Sequence, residues 1–263
     1  MKLSIITVNF NDAEGLERTI KSVISQTFRD YEFIIIDGGS TDGSVGVIKQ
    51  YESYIDYWVS EPDGGIYSGM NKGLRQAKGD YVNFMNGGDC YHSEDVLEKI
   101  FAFNSKADII TGEHSENGAR NIGKDGVTML DLYKWSIDHQ ASFIRRDVAL
   151  RHPYDEKYRI VSDWKFFIEK IIFQNCSFEF MPVTVAVFEG GGISEAQKER
   201  NESERKDVLE KFFPPRVLQD YEHFKGKESP MLDLIPQFNH TYRLEKFIIW
   251  VVKTILRIYH IFK

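Results

Sequence analysis

The chain has 263 residues, of which 42% are hydrophobic and 28% charged, and this globular composition excludes a disordered protein. Acidic residues outnumber basic ones by 40 to 33, and the formal net charge of −7 argues against nucleic acid as the main partner. The 2 cysteines cannot form a disulfide framework, and no Cys/His run has zinc spacing. The first apolar run is too short for a signal peptide, which predicts an intracellular protein.

The first hundred residues alternate between strand and helix patterns. Apolar runs of the buried, parallel type predict strands at 3–8, 33–36, 56–60 and 80–85. Apolar residues at helical spacing predict helices at 13–26, 45–54, 65–77 and 95–103. Strands separated by helices favour an α/β fold whose mostly parallel sheet is flanked by helices.

The second half of the chain is less regular. Its patterns predict strands at 109–111, 141–144 and 178–188 and helices at 163–173 and 195–213. Pro214 and Pro215 end the last helix, so a first domain over 1–215 is expected. Residues 216–263 then form a polar connector and a basic amphipathic helix.

Three predicted strands end in turns that carry an acidic residue, and ligands bind at the carboxyl ends of parallel strands. These turns contain Asp37, Asp63 and Asp89. Asp37 and Asp63 could accept hydrogen bonds from a base or a ribose, or could only cap a helix or close a turn. Asp89, on the Gly-rich turn 86–89, suits a Mg²⁺ or Mn²⁺ ion that also binds a diphosphate, or else the turn merely ends a strand.

The order and spacing of several short motifs resemble a family 2 glycosyltransferase with the GT-A fold. The motifs are SIITVNFN (4–11), IDGGSTDG (36–43), EPDGGIY (61–67), MNKG (70–73), GDY (79–81) and NGGD (86–89). The resemblance is dense over residues 3–92 and continues thinly to residue 194. It implies a nucleoside-diphosphate sugar as donor, with UDP as the expected nucleotide, and Mn²⁺ or Mg²⁺ as cofactor.

The same resemblance implies roles for individual residues. The expected nucleotide-sugar contacts are Thr7, Asn9, Asp37, Asp63, Lys72, Asn86, Gly87 and Gly88. Asp89 corresponds to the last acid of the family's Asp-x-Asp element and is the expected metal ligand, whereas Gly87 replaces the first acid. Lys72 could equally be a solvated surface lysine.

Asp163 corresponds to the family's catalytic base, which takes the proton of the acceptor hydroxyl. Asp163 could instead be only the N-cap of the predicted helix that extends to residue 173. His139, Gly191 and Gly192 are candidates for the acceptor side or for a phosphate-binding loop. His139 could also be structural, and the glycines could be a hinge.

Residues 243–263 carry five basic side chains and one acidic side chain, with a broad apolar stripe at helical spacing. This pattern is typical of a helix lying in a membrane surface, or of one docked on its own domain or on a partner. Charges at Lys253 and Arg257 argue against a spanning helix.

Together these features predict a metal-dependent, inverting enzyme that adds a single sugar to a glycan or lipid-linked acceptor. The resemblance suggests bacterial surface-polysaccharide assembly in the cytoplasm, at the inner face of the membrane. The Gln-x-x-Arg-Trp element of processive synthases is absent from the sequence, which favours single addition. A nucleotidyltransferase and a catalytically inactive nucleotide-sugar-binding scaffold remain alternatives, and an oligomer is left open.

Overall fold

A computed structural model describes residues 1–116, 119–121, 123–188, 196–225, 250–251 and 253. The chain divides into two compact units, Met1–Phe212 and Phe213–Lys263. The first unit holds the sheet and the candidate active site. The described part of the second unit contains a helix, Pro215–Phe224, in the stretch that the sequence predicts as connector.

The first unit begins with four parallel strands, which are four of the nine strands that the described residues contribute to its sheet. They are β1 (Leu3–Asn9), β2 (Tyr31–Asp37), β3 (Tyr57–Ser60) and β4 (Tyr81–Phe84). Strands β1, β2 and β4 are almost entirely buried, because helices cover both faces of the sheet. The register pairs Asn9 with Asp37 and Asp37 with Ser60, so the polar strand ends lie side by side.

The second half of the sheet mixes strand directions. It consists of β5 (Cys90–Tyr91), β6 (Ile109–Glu116), β7 (Ala119–Asn121), β8 (Ser142–Arg145) and β9 (Phe178–Phe188). Strand β8 runs antiparallel to both β4 and β6, whereas β6 and β9 are parallel. Within the described residues the order is β3-β2-β1-β4-β8-β6-β9-β5, with β7 paired to β6.

Helices cover both faces of this sheet. They are α1 (Ala13–Ile24), α2 (Ser44–Gln50), α3 (Ile66–Gln76), α4 (Val96–Ala102), α5 (Met129–Lys134), α6 (Arg146–Arg151), α7 (Ser162–Phe167) and α8 (Lys198–Phe212). A π-helical segment, Ile168–Phe173, continues α7. The helix Pro215–Phe224 of the second unit is α9.

Amphipathic spacing explains why these segments pack as they do. In α1 the apolar residues Leu16, Ile20 and Val23 are all buried at 0% exposure, and Asp12 caps the helix by accepting a hydrogen bond from the backbone N–H of Gly15. These side chains join a core cluster with residues of β1, β2, β8 and α4. The loops after β1, β2 and β4 are therefore held on a rigid frame.

The fold agrees with the predicted α/β class, and the predicted strands and helices of 3–188 are present with shifted ends. The structure adds β5, β7, α5 and α6, which have too few residues to give a clear periodic pattern. The basic segment 243–263 lies almost entirely outside the described residues. None of the described helices is long and apolar enough to cross a membrane.

Candidate active site

The carboxylate of Asp163 lies in the first turn of α7, where three hydrogen-bond donors hold it. Its Oδ1 accepts from the Tyr67 hydroxyl at 2.8 Å and from its neighbouring backbone N–H, that of Trp164, at 2.8 Å. Its Oδ2 lies 3.0 Å from Nδ1 of His139. The N-cap of α7 is Val161, so Asp163 does not occupy the capping position. The side chain is 19% exposed, so a ligand can reach a carboxylate that is otherwise fixed.

Burial alone would raise the pKa of Asp163, but the hydrogen bond and charge of His139 and the hydroxyl of Tyr67 hold the pKa below its usual value. Burial and the nearby Asp163 carboxylate raise the pKa of Tyr67 well above its usual value. The phenol therefore stays protonated, and its one proton is shared between the Ile160 carbonyl at 2.6 Å and the Asp163 carboxylate. The pocket around Asp163 is built to keep its carboxylate ionised at neutral pH.

His139 joins Asp163 to the loop that follows β4. Its Nε2 lies 2.9 Å from Nδ2 of Asn86, so the imidazole bridges Asn86 and Asp163. Burial lowers the pKa of His139, yet the hydrogen bond to Asp163 and that group's negative charge raise it overall. The structure thus brings together three residues that the sequence places far apart.

The loop Asn86–Asp89 has two glycines with different reasons to be glycine. A Cβ at Gly87 would lie 2.7 Å from Oδ1 of Asn9, closer than a side chain tolerates. Gly88 has φ +97°, a left-handed conformation that favours glycine. The buried hydroxyl of Thr19 on α1 contacts the loop by accepting from the Gly88 N–H at 3.0 Å and donating to the Asp89 carbonyl at 2.8 Å.

The carboxylate of Asp89 has an environment opposite to that of Asp163. Burial raises the pKa of Asp89 to about 6, and the positive charge of His139 only partly offsets this effect. No side-chain hydrogen bond to Asp89 occurs within the part of the chain that the structure describes. A cation near Asp89 would lower this pKa and provide the partner that the carboxylate lacks.

Asn9 and Asp37 lie at the ends of β1 and β2 in one hydrogen-bonded network. The carboxylate of Asp37 is fully buried and accepts from Asn9 Nδ2 at 2.9 Å, from Ser60 Oγ at 2.6 Å and from both the N–H and the Oγ of Ser40. Burial alone would raise the pKa of Asp37, but these hydrogen bonds lower it. The Thr7 hydroxyl donates to the Met85 carbonyl.

Two buried amide oxygens near this network have no partner within the described residues. They are Oδ1 of Asn9, at the end of β1, and Oδ1 of Asn86, on the loop after β4. Asp37 accepts only, so it fixes the Asn9 amide with its oxygen turned away from Asp37. Buried acceptors without partners are costly, and at a binding site a ligand can supply the missing donors.

The remaining predicted site residues fall into two groups. Asp63 accepts from the Gly65 N–H at 2.8 Å, which closes the turn before α3, and its Oδ2 faces Gly38 and Gly69. Lys72 pairs with Glu61 at 2.8 Å, so its ammonium has a local partner. Gly191 and Gly192 lie outside the described residues. Ligand contacts by Thr7, Asn9, Asp37, Asp63 and Lys72 stay predictions.

Sequence reasoning missed three residues that contact or support this site. Tyr67 belongs to the EPDGGIY motif, whose helical register places it on the buried face of α3, but its hydroxyl's partner depends on the distant α7. Thr19 looks like an ordinary residue of α1. Arg205 of α8 lies over the Trp164 ring at 4.0 Å and interacts electrostatically with Asp163, although the charged pattern of α8 gave no signal of this.

Comparison of the fold with solved structures defines the class. The structure of S. aureus TarS 1-349 in complex with UDP superposes with TM-score 0.64 and 18% identity, and the match covers 95% of this chain and 78% of the TarS chain. The mannosyltransferase PcManGT of Pyrobaculum calidifontis, in complex with GDP-Man and Mn²⁺, matches 98% of this chain and 80% of its own, with TM-score 0.64 and 14% identity. In a longer TarS structure the match covers 38% of that chain. At these identities the likeness establishes the fold, which is GT-A.

Sequence comparison defines the family. The model of glycosyl transferase family 2 matches residues 4–123. A PGL/p-HBAD biosynthesis glycosyltransferase of Mycobacterium bovis is 31% identical over 201 residues, covering 73% of this chain and 78% of that protein. A Mycobacterium tuberculosis glycosyltransferase is 34% identical over 182 residues, which cover 63% of this chain and 67% of that protein. The chain belongs to family 2 of the glycosyltransferases.

Proposed function

We propose that this glycosyltransferase transfers one sugar from a nucleoside-diphosphate sugar to a hydroxyl of a glycan or lipid-linked acceptor, with inversion at the anomeric carbon. The observation that carries this proposal is the fixed, partly exposed carboxylate of Asp163, linked through His139 to Asn86. A positioned base beside a donor-binding loop is what a direct displacement requires.

The nucleotide end of the donor is assigned to the carboxyl ends of β1, β2 and β4. Ribose hydroxyls or a base N–H would satisfy the unpaired amide oxygens of Asn9 and Asn86. Asp63 lies close by, since its Oδ2 would be 3.4 Å from a Cβ at Gly38. In this assignment Asp37 acts by fixing Asn9, because its carboxylate already accepts four hydrogen bonds.

In the chemical step, Asp163 Oδ2 takes the proton of the acceptor hydroxyl as that oxygen bonds to the anomeric carbon. The bond from this carbon to the phosphate oxygen breaks, and its electron pair leaves with the nucleoside diphosphate. A single attack from the face opposite the leaving group inverts the configuration. The hydroxyl becomes strongly acidic only as the new bond forms, so a carboxylate with a low pKa suffices as the base.

Asp89 is the residue that would hold a divalent cation. Its half-buried carboxylate lacks a side-chain hydrogen bond among the described residues, and its pKa is raised to about 6; a bound cation would provide a partner and lower this pKa. One protein carboxylate is enough for Mg²⁺ or Mn²⁺ when the substrate diphosphate and water supply the other ligands. Such an ion stabilises the negative charge of the departing diphosphate.

The names of related proteins support the choice of substrates. TarS binds UDP, and PcManGT binds GDP-Man with Mn²⁺. We expect a UDP-sugar as the donor here, with a GDP-sugar as the alternative. The mycobacterial relative acts in PGL/p-HBAD biosynthesis, which supports an acceptor that ends in a surface glycan. We place the enzyme in the cytoplasm at the membrane surface, with 243–263 as the contacting segment.

Thermal unfolding with UDP, GDP, dTDP or CDP tests the nucleotide and the metal together. Each nucleotide is added with Mn²⁺ or with EDTA, and a bound ligand at a hundredfold excess over its Kd adds about 2.7 kcal/mol of stability. We expect one nucleotide to raise the Tm only when Mn²⁺ is present. If none of the four nucleotides raises the Tm of a well-folded sample, the assignment of a nucleotide-sugar donor fails. The alternative of an inactive nucleotide-sugar-binding scaffold then gains no support either, because it also requires nucleotide binding.

A further inference from the structure

A cavity of about 400 Å³ is lined by residues that none of the proposed catalytic steps uses. This volume is within the range of small-molecule sites. Two aromatic residues, two hydroxyl-bearing residues and a contacting His–Asp pair belong to its lining: Trp135, Phe178, Thr111, Ser136, His114 and Asp138.

The cavity adjoins Asp163 through consecutive residues of the chain. Asp138 lines the cavity, and the next residue, His139, contacts the Asp163 carboxylate. The negative charge of Asp138 acts on both His139 and Asp89, so its carboxylate lies within electrostatic range of the base and of the candidate metal ligand. Ser136, another lining residue, lies 3.5 Å from the Arg205 guanidinium. The cavity lining is therefore connected to Asp163 through the adjacent residue His139 and to Arg205 through Ser136.

The charged lining residues have protein partners. His114 Nδ1 lies 2.7 Å from Asp138 Oδ2, and the lining residue Lys124 lies 2.6 Å from Asp131. A neutral ligand is favoured over a phosphate or another anion, because the Lys124 ammonium is already paired and the Asp138 carboxylate repels an anion. The two hydroxyls and the carboxylate among the lining residues suit a ligand with many hydroxyl groups.

Trp135 adds an aromatic side chain to this lining. No hydrogen bond of the Trp135 indole N–H occurs within the described residues, and the ring lines the cavity. An indole provides a flat apolar surface with a polar N–H at its edge. A pyranose ring matches this pair of features, since its C–H face is apolar and its rim carries hydroxyls.

We propose that this cavity binds the acceptor as a neutral sugar residue, with Trp135 as the stacking surface and with Asp138 and Ser136 as hydroxyl partners. The inference rests on the proposed glycosyl transfer and names the acceptor class. It also assigns Trp135 and Asp138 as specificity-determining residues. The alternative occupant, the sugar of the donor itself, is separated by the experiment.

The test is saturation-transfer NMR on the full chain with a bound nucleoside diphosphate and Mg²⁺, which is diamagnetic. The probes are methyl glycosides of common hexoses, 6-deoxyhexoses and N-acetylhexosamines at millimolar concentration. The variants are Trp135→Ala and the conservative Trp135→Phe. Trp58→Ala is the control, because Trp58 lies on β3, the opposite edge of the sheet, where its indole donates to Glu52. Melting curves and nucleotide affinity confirm that each variant is folded.

We expect at least one glycoside to bind wild type, about tenfold weaker binding by Trp135→Ala, and near-normal binding by Trp135→Phe and Trp58→Ala. Absence of glycoside binding to nucleotide-loaded wild type, or equal binding by Trp135→Ala, overturns the proposal. The proposal is also overturned if Trp135→Ala binds the nucleotide sugar more weakly than wild type does but binds the nucleoside diphosphate normally. The cavity would then hold the sugar of the donor. Failure of wild type to bind any nucleotide refutes the proposed function instead, and is measured separately.

Discussion

Replacing Asp89 by Asn should stabilise the metal-free protein at alkaline pH, because Asp89 is a half-buried carboxylate whose pKa is raised by desolvation. Its pKa is raised from 3.8 in the unfolded reference to about 6 in the folded protein. A raised folded-state pKa means that stability is fully present below about pH 4 and is lost as the pH rises through about 6. About two pKa units correspond to about 3 kcal/mol at pH 8.

This free energy converts to a measurable shift in Tm. For a domain of this size about 1 kcal/mol moves the Tm by about 2–4 °C, so Asp89→Asn should melt about 6–12 °C higher than wild type at pH 8 in EDTA. At pH 4.5 the expected gain falls to about 1 kcal/mol, or about 2–4 °C. Differential scanning calorimetry at both pH values measures the two gaps.

A control and an added ligand sharpen this test. Hydrogen bonds from Lys99 and Ser93 lower the pKa of Asp95, so Asp95→Asn should give no gain at pH 8. Mn²⁺ with the stabilising nucleotide should raise the Tm of wild type more than that of Asp89→Asn. The Tm difference between the variant and wild type should therefore shrink or change sign. An Asp89→Asn variant that is less stable than wild type at pH 8 in EDTA would show that the desolvation argument is wrong.

Three further substitutions probe the neighbouring contacts. His139→Gln should lower the Tm more at pH 5.5 than at pH 8.5. The raised pKa of His139 gives stability that is present below about pH 6.5 and is lost above the pKa of the folded state. His152→Gln is the control, because His152 is exposed, and equal losses of Tm by His139→Gln at both pH values would contradict the prediction. Tyr67→Phe removes a hydrogen bond to a charged group and should cost about 1.5–3 kcal/mol in denaturant unfolding, so a loss under about 0.5 kcal/mol counts against the contact. Gly87→Ala should weaken nucleotide binding in calorimetry by at least about tenfold, because its Cβ would meet Oδ1 of Asn9, and unchanged affinity would remove that loop from the donor site.

The amino-acid sequence allows much of the fold to be predicted, because the first half of the unit consists of long, strongly periodic segments. Buried strands β1 and β2 read as apolar runs, and α1 and α3 have clear amphipathic faces. Short elements such as β5 and α6 give no pattern above background. The antiparallel direction of β8 depends on long-range pairing with β4, which local sequence does not encode.

In the candidate site, too, some residues could be predicted from local sequence and others depend on tertiary packing. The turn residues Asp37 and Asp89 could be named because strand ends and glycines mark them in the sequence. The contact of His139 with Asp163 could not, since 24 residues separate them and only tertiary packing brings the imidazole to the carboxylate. Trp135 has no sequence signal at all, because a cavity is a property of several elements together.

Asp163 is proposed to act as the base of a glycosyl transfer, and a comparison of wild type with Asp163→Asn measures that role. The donor is the labelled nucleotide sugar whose nucleotide stabilises the protein, and a bacterial membrane fraction supplies acceptors. We expect wild type to release nucleoside diphosphate and to label the acceptor. We expect Asp163→Asn to do so about 10²–10⁴-fold more slowly while binding the nucleotide with unchanged affinity. Transfer by Asp163→Asn at the wild-type rate would contradict the claim.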